Sequence, residues 1–299
     1  MRNAFFRGHG LGNDYLVVDP DELDFALTPE SVRSICDRHR GVGSDGILVS
    51  TTSGTADFGL RIFNPDGSEA EKSGNGLRIF ARYLHATGRV RESRFSVETP
   101  GGRVTCVLHL DEEGDASSVT VQMGRASFVP RDLPCALAVD ELIDQPIEVA
   151  GRRLRFTGVS VGNPHCVLWK PAGEAWTREE LLLLGPALEQ HPVFPRRTNV
   201  QLGVPVGSDG IRILIWERGA GETQASGSSS CAAASAAVRL GLVRSPVTVV
   251  MPGGRLVVEV GEGFDLTMTG PVEEVARGTF SPSFVRRLSS GDRSGRHSA

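Results

Sequence analysis

The sequence predicts an α+β fold made of two pseudo-symmetric domains, each with mixed strands around a helix. The first observation behind this prediction is an internal duplication, because segments of the first half recur in the same order about 150 residues later. Arg61–Asn64 matches Leu214–Glu217, and Pro100–Val104 matches Pro252–Leu256. The second observation is that each half combines short strand-like segments with helical ones, which is typical of α+β proteins.

Each half is predicted to contain several short strands and two helices. Alternating apolar and polar residues predict strands at Arg103–Leu110 and Arg255–Val260. The first helix of each half follows a threonine that fits an N-cap, Thr28 in the first half and Thr177 in the second. The second helices are predicted at Gly76–Ala86 and Ser229–Leu240, with Gly88 and Gly241 as their stop residues.

A Gly/Ser-rich loop leads into the second helix of each half, Ser73–Gly76 in the first and Ser226–Ser230 in the second. Free N–H groups and the positive end of the helix dipole lie at a helix N-terminus, so each loop suits an anion such as a carboxylate. Taken singly, these residues are also ordinary helix caps. Their recurrence at matched positions favours a ligand site, and we expect the loops to converge in a cleft between the domains.

The composition indicates a globular protein that acts on a small molecule. A chain of 299 residues with 39% hydrophobic residues can form two domains of ordinary size. The net charge of −4 and the dispersed Lys and Arg argue against a nucleic-acid partner. No apolar run is long enough to cross a bilayer, and Met1–Arg7 is too short for a signal peptide, so we expect a cytoplasmic protein without a membrane partner.

The cysteines and histidines do not follow the spacing of a disulfide framework or a metal site. The five cysteines form no CxxC pair, and the seven histidines form no HExxH pattern. We therefore expect neither disulfides nor a zinc ion. The cysteines are interpreted as small buried apolar residues.

Several strings resemble the motifs of the diaminopimelate epimerase family. In chain order they are Gly10–Tyr15, Phe63–Glu69, Ser73–Arg78, Gly162–His165, Thr198–Val200, Glu217–Gly219 and Gly221–Gly227. The match extends from about residue 3 to about residue 280, and together the motifs are highly specific.

The resemblance implies a cofactor-independent amino-acid epimerase of lysine biosynthesis, with no metal and with a homodimeric state. Inversion at the α-carbon requires one group that removes a proton and one on the opposite face that delivers a proton. The implied N-terminal domain comprises residues 1–118 plus about 265–281, and the C-terminal domain comprises residues 119–264. The segment 282–299 has little apolar content and is predicted to be a disordered tail.

The family motifs also imply roles for individual residues. Catalysis is assigned to Ser73, Ser226, His165 and Glu217. Orientation of the amino and carboxylate groups is assigned to Asn13, Asn64, Asn163, Asn199 and Arg218, together with Glu217. Gly74, Asn75, Gly227 and Ser228 are expected to surround the reacting end of the substrate.

Two departures from the family pattern concern the chemistry. Ser73 and Ser226 occupy the two positions where the family has catalytic cysteines. A serine hydroxyl is a far weaker acid than a thiol, whose reference pKa is about 8.5, and it needs a neighbouring base. Gly46 replaces a glutamine that helps the family to recognise its substrate, which leaves an α-amino acid as the substrate class.

Three hypotheses follow from the serine pair. The protein is an epimerase, or a related isomerase or eliminase, in which His165 or Glu217 activates one hydroxyl. Alternatively it is a homologue that binds an amino acid without turnover. In the third hypothesis the cysteines were deliberately replaced by serine to trap a ligand, a possibility that the neighbouring Ser228–Ser230 does not favour.

Overall fold

The computed structural model describes residues 1–290. Its strands are β1 (Ala4–Gly10), β2 (Asn13–Val18), β3 (Ile47–Thr51), β4 (Phe58–Phe63), β5 (Glu69–Ala70), β6 (Arg94–Thr99), β7 (Gly102–Leu110), β8 (Ala116–Arg125), β9 (Gln145–Val149), β10 (Arg152–Ser160), β11 (Pro164–Trp169), β12 (Asn199–Val206), β13 (Gly210–Glu217), β14 (Gly221–Thr223), β15 (Val247–Met251), β16 (Gly254–Val260), β17 (Asp265–Pro271) and β18 (Glu273–Thr279). Its helices are α1 (Pro29–Cys36), α2 (Gly74–Ala86), α3 (Arg178–Glu189), α4 (Gly227–Arg239) and α5 (Pro282–Ser289).

The chain divides into two compact units. Unit 1 comprises Met1–Val121 together with the chain from Pro271 onward, and unit 2 comprises Gln122–Gly270. The limit between the units falls inside β8, three residues after the predicted limit at 118/119. One continuous strand passes through this point, so no loop marks it in the sequence.

The two units repeat one strand order. In unit 1 the order is β18-β1-β2-β3-β4-β6-β7-β8, and in unit 2 it is β9-β10-β11-β12-β13-β15-β16-β17. Corresponding neighbours agree in direction throughout, with parallel pairs only at β2/β3 and β4/β6 and at β11/β12 and β13/β15. A short extra strand, β5 or β14, forms a hairpin with β4 or β13. The duplication seen in the sequence is therefore a duplication of topology.

Each unit packs its sheet around one central helix. In unit 1, α2 contacts β1, β2, β7 and β18 and buries large side chains such as Leu77 and Phe80. In unit 2, α4 contacts six strands and buries the small residues Cys231–Ala237. Small side chains let the strands approach the helix closely, and large ones fill a wider interior, so the two cores reach high packing density in different ways.

The first helix of each unit begins as the sequence predicts. Thr28 and Thr177 are N-caps, and each takes part in a reciprocal capping box, with Ser31 and with Glu180. The central helices begin two residues before the predicted Gly76 and Ser229, so their N-caps are the loop serines themselves.

The prediction of a disordered tail from residue 282 is wrong for the segment that forms α5. Ser281 caps this helix by accepting a hydrogen bond from Phe284 N at 3.3 Å. Val285 is buried in the unit 1 core, with Phe284 and Leu288 packed against that core. Three apolar side chains on one helical face suffice to dock an otherwise polar helix. The remainder of the predicted tail, residues 291–299, lies outside the described residues.

None of the helices in residues 1–290 combines the length and apolar character needed to span a membrane.

The backbone at Gly46 explains why this position has no side chain. Gly46 has a φ of 154°, and a Cβ there would lie 2.4 Å from the carbonyl oxygen of Phe63 and 2.6 Å from Cε1 of Tyr15. Both neighbours are buried. A side chain at this position would therefore require backbone movement.

We expect Gly46→Gln to lower the free energy of unfolding by about 1–3 kcal/mol, because the new side chain overpacks a buried site and adopts an unfavourable φ. Urea denaturation measures this change. Gly54→Gln is the matched control, since a Cβ at exposed Gly54 would meet no atom within 4 Å. An equal loss in both variants would contradict the steric explanation.

Candidate active site

In unit 1, Ser73 is the N-cap of the central helix α2. Its Oγ accepts a hydrogen bond from Gly76 N at 3.0 Å, which fixes the hydroxyl at the first turn. A Cβ at Gly76 would lie 2.9 Å from Cδ2 of Leu48. The glycine therefore lets the start of the helix pack directly against the sheet.

A chain of side-chain hydrogen bonds orients the amides next to Ser73. The buried guanidinium of Arg78 donates to Asn75 Oδ1 at 2.7 Å, so Asn75 Nδ2 must point the other way, where it donates to Asn13 Oδ1 at 2.6 Å. Asn13 Nδ2 then donates to Asp45 Oδ2 at 2.9 Å. Arginine only donates hydrogen bonds and a carboxylate only accepts them. Arg78 at one end of the chain and Asp45 at the other therefore fix the orientation of both amides between them. A Cβ at Gly10 would overlap Asn75 Oδ1 at 2.0 Å, so this network also requires glycine there.

Asp14 and Asp45 share a cation in the same region. Arg38 Nη2 contacts Asp14 Oδ1 at 2.6 Å and Asp45 Oδ1 at 2.7 Å, and Arg7 contacts Asp14 at 2.7 Å. Burial opposes the ionisation of Asp14, but its bonds to Arg38 and Arg7 outweigh that effect and lower its pKa. These groups support Asn13 and are already paired with one another.

Asn64 follows β4 in a tight hairpin turn. Its backbone N donates to Ser68 O at 2.8 Å, and its Nδ2 donates to Ser68 Oγ at 3.0 Å. Its hydrogen bonds therefore stay within the hairpin and do not reach Ser73 or Asn75. Asn64 remains half-buried at the end of the strand.

In unit 2, Ser226 caps α4 as Ser73 caps α2. Its Oγ accepts from Ser229 N at 3.4 Å and lies 3.5 Å from Ser228 Oγ. Gln201 Nε2 donates to Ser229 Oγ at 2.9 Å and ties this first turn to β12. The cap of α4 thus has a looser geometry than the cap of α2.

Glu217, the last residue of β13, lies beside Ser226. Burial raises the pKa of the Glu217 carboxyl, and a hydrogen bond with Ser226 partly opposes that rise. A carboxylate with a raised pKa is a better proton acceptor than an exposed one. Unit 2 therefore contains a hydroxyl and a candidate base in contact.

His165 is completely buried on β11. Its Nε2 lies 2.9 Å from Asn163 Oδ1. Burial lowers the pKa of His165 to about 3, and the charge of Arg218 acts in the same direction while the Gln201 amide opposes it. The ring is neutral at physiological pH and takes up a proton poorly.

Asn199 and Arg218 meet where β12 begins and β13 ends. Asn199 Nδ2 donates to Pro164 O at 2.9 Å, and its Oδ1 accepts from Arg218 N at 3.0 Å. The guanidinium of exposed Arg218 donates to Arg196 O at 3.3 Å. This leaves a cationic side chain at the surface beside Glu217.

The helix starts differ in charge. Neither α2 nor α4 has an acidic residue in its first turn, and the short helix α5 also lacks one, whereas α1 has Glu30 and α3 has Glu179 and Glu180 there. No acidic residue of the first turn therefore offsets the positive end of α2 or α4, although the carboxyl of Glu217 lies beside the Ser226 cap of α4. A ligand carboxylate at such an end gains about 0.3–1 kcal/mol, and up to about 2 kcal/mol where it is partly buried.

Within each unit the structure brings together several of the residues proposed from sequence. The contacting sets are Asn13 with Asn75, Asn163 with His165, Asn199 with Arg218, and Ser226 with Glu217 and Ser228. Gly74 and Gly227 are the first residues of α2 and α4. Among residues 1–290, no group of three or more His, Cys, Asp or Glu side chains is placed to hold a metal ion.

Three further residues carry parts of this arrangement and were not predicted to do so. Arg78 orients Asn75, Asp45 holds Asn13, and Glu189 holds the segment around Glu217. Arg78 ends the family-like string Ser73–Arg78, and Asp45 directly precedes Gly46, so the position of both residues was a signal. Glu189 has no motif around it.

The family described as diaminopimelate epimerase matches the chain at residues 5–129 and 157–275. Diaminopimelate epimerase 2 from Nostoc is 47% identical over 278 residues, which cover 93% of this chain and 95% of that protein. The diaminopimelate epimerase of Pelotomaculum thermopropionicum is 41% identical over 278 residues, covering 92% and 98%.

Solved structures with much lower identity share the fold. A PhzF-family phenazine biosynthesis protein from Bacillus anthracis superposes with a TM-score of 0.65 at 17% identity, covering 93% of this chain and 98% of that one. A hydroxyproline epimerase from Agrobacterium vitis, solved with trans-4-hydroxy-L-proline, gives 0.63 at 16% identity and covers 94% of each chain. At such identities the likeness concerns the fold alone.

The buried His165 makes stability depend on pH. Its folded pKa of about 3 lies below the ordinary value of about 6.5. Between these two pH values the ring is protonated in the unfolded chain but not in the folded chain. Stability from this group is complete above pH 6.5 and falls as the pH decreases toward 3. Between pH 7 and pH 5 we expect a loss of about 2 kcal/mol.

Urea unfolding at both pH values, with His165→Gln as the variant, measures this contribution. The variant is expected to show a correspondingly smaller change between pH 7 and pH 5, whatever its stability at pH 7. His39→Gln, at an exposed position, is the control and should keep the wild-type change. An unaltered change in His165→Gln would show that the buried ring is not the source.

Proposed function

Because the chain belongs to the diaminopimelate epimerase family, we propose that it is a cofactor-independent amino-acid epimerase in which each unit contributes one acid–base side chain. One observation carries this proposal: each unit has a central helix with a serine N-cap and no acidic residue in its first turn. A base removes the α-proton of the amino acid and leaves a carbanion, and an acid on the other face returns a proton. The helix ends hold the carboxylate, whose negative charge increases in the transition state.

The substrate that we propose is diaminopimelate, which places the enzyme in lysine biosynthesis. The names of the relatives at 47% and 41% identity support this choice. Asn13, Asn64, Asn163, Asn199 and Arg218 are the proposed contacts to the amino and carboxylate groups. We also propose a cytoplasmic location and a homodimer, and the family resemblance supports both.

In our proposal, Ser226 works with Glu217. The carboxyl contacts the hydroxyl, and burial raises its pKa, so Glu217 can accept the serine proton as the hydroxyl acts on substrate. His165 is the weaker candidate base, because its pKa is about 3. We assign His165 to the orientation of Asn163, which it contacts.

The first unit lacks an equivalent base at the matched position. Glu217 lies nine residues before Ser226, and Asn64 lies nine residues before Ser73. An amide does not accept a proton at neutral pH. Proton removal through Ser226 is therefore proposed to be faster than removal through Ser73.

A second candidate function is amino-acid binding without turnover. The replacement of both family thiols by serine favours it, since the helix caps are kept while the stronger acid–base groups are lost. It predicts that a ligand raises the melting temperature without any proton exchange.

In D2O, the protein is expected to incorporate deuterium at the α-carbon of diaminopimelate or another amino acid. Ser226→Ala and Glu217→Gln should each lower this exchange at least about 100-fold, because they remove the hydroxyl or its base. Mass spectrometry of the amino acid measures the exchange.

Ser281→Ala is the matched control, because it removes a serine N-cap from α5 outside the proposed site and should leave exchange unchanged. Melting curves confirm that every variant is folded, since a lost cap costs about 1 kcal/mol. Absence of exchange with all amino acids would refute the epimerase, and ligand stabilisation in that case would support the binding function.

The double variant Ser73→Cys with Ser226→Cys is expected to epimerise diaminopimelate at least about 100-fold faster than the wild type. Thiols ionise far more readily than hydroxyls, and the positive helix end lowers a thiol pKa further. Chiral chromatography of the product measures the rate. A folded double variant with no gain would show that the serines do not occupy the acid–base positions.

A further inference from the structure

Glu189, the last residue of α3, is a buried carboxylate with an unusual set of partners. Only 5% of the residue is exposed. Its Oε2 accepts a hydrogen bond from the indole Nε1 of Trp216 at 2.8 Å, and its Oε1 accepts one from Gly219 N at 2.9 Å. Arg197, which is largely exposed, approaches Oε1 only to 3.6 Å. The two shortest contacts of the Glu189 carboxylate are therefore to neutral donors, and the cation lies further away.

These donors enclose the proposed base. Trp216 immediately precedes Glu217, and Gly219 immediately follows Arg218. Glu217 pairs with Gly221 across the β13–β14 hairpin, so the segment between them is a tight turn. A single carboxylate thus holds the turn on both sides of Glu217 and Arg218.

The backbone of Glu189 reaches a third part of the same half-site. Its carbonyl oxygen accepts from Thr198 N at 3.2 Å, directly before Asn199. Asn199 in turn accepts from Arg218 N at 3.0 Å. The end of α3 is therefore bonded to the neighbours of Asn199, Glu217 and Arg218.

We propose that Glu189 is a positioning residue that fixes the Glu217–Gly219 turn so that Glu217 meets Ser226. This inference rests on the proposed function of that pair. Burying a carboxylate is costly even with a distant cation such as Arg197, and an apolar residue could fill the same space, so packing does not explain its presence. The turn explains the carboxylate, because each of the two Glu189 oxygens accepts a hydrogen bond from a different donor, Trp216 Nε1 or Gly219 N.

In unit 1, a side chain of the first helix also holds the hairpin turn, but through a single hydrogen bond. Arg33 of α1 donates to Asp66 O at 2.9 Å in the hairpin turn that follows β4. Arg33 is half-exposed and makes this one bond to the turn. The turn with more hydrogen bonds to the first helix is therefore that of unit 2, which contains the proposed base Glu217.

The test uses the intact protein and the variant Glu189→Gln. Glutamine keeps the size but presents an N–H group to one of the two donors, which displaces either Trp216 or Gly219. We expect kcat for α-proton exchange to fall about 10-fold or more, with KM changing much less, since small displacements of an acid–base group slow the chemical step.

Glu180→Gln is the matched control on the same helix. Glu180 is also a partly buried carboxylate, and it bonds Lys170 at 2.8 Å and caps α3, but it contacts none of the proposed site residues. It should lower stability and leave kcat unchanged. An equal fall of kcat in both variants, or none in Glu189→Gln, would overturn the positioning role.

A second readout does not depend on activity. In a carbon-13 NMR titration, the Glu217 carboxyl of the wild type should titrate above its ordinary pKa because it is buried. In Glu189→Gln that pKa should return toward the ordinary value as the turn moves into solvent, while Glu180→Gln keeps it. If Glu189→Gln leaves the Glu217 pKa unchanged, the positioning inference is wrong. If Glu189→Gln lowers the Glu217 pKa but the wild type shows no α-proton exchange, only the proposed function is refuted.

Discussion

The structure depends on the N-terminus of a central helix whose first turn contains no acidic residue. In each unit the sheet surrounds one central helix, and the first turn of that helix holds its free N–H groups beside a serine hydroxyl. In α1 and α3 a glutamate in the first turn offsets the same positive end, whereas α2, α4 and the short helix α5 have no acidic residue there. An external anion at the starts of α2 and α4 would be stabilised by these positive ends. The hydrogen-bond network of unit 1 and the turn held by Glu189 in unit 2 both serve to fix groups around these helix starts.

The two units share one topology but differ in chemistry. Unit 1 orients amides through Arg78 and Asp45, and it has Asn64 where unit 2 has Glu217. Unit 2 has the fully buried His165 and the partly buried Glu217, which lies beside its serine cap, and desolvation shifts the pKa of both. This arrangement suits serine, because a hydroxyl needs a base that a thiolate does not.

Much of the fold could be predicted because the signals are local. A duplicated motif order predicted the repeated topology, and threonine caps marked where the first helix of each unit begins. The disordered-tail prediction failed at α5 because composition ignores spacing, and Phe284, Val285 and Leu288 form one apolar face within a polar segment. The role of Glu189 could not be predicted from the sequence for a different reason. Its two donors lie 27 and 30 residues further along the chain, so only folding brings them together.

A crystal structure with diaminopimelate bound would test the central claim most directly. We expect the substrate carboxylate to accept hydrogen bonds from N–H groups at the helix starts Gly74–Asn75 or Gly227–Ser228, with the α-carbon within reach of both the Ser73 and Ser226 hydroxyls. A carboxylate bound away from both helix starts, or an α-carbon remote from either hydroxyl, would contradict the claim.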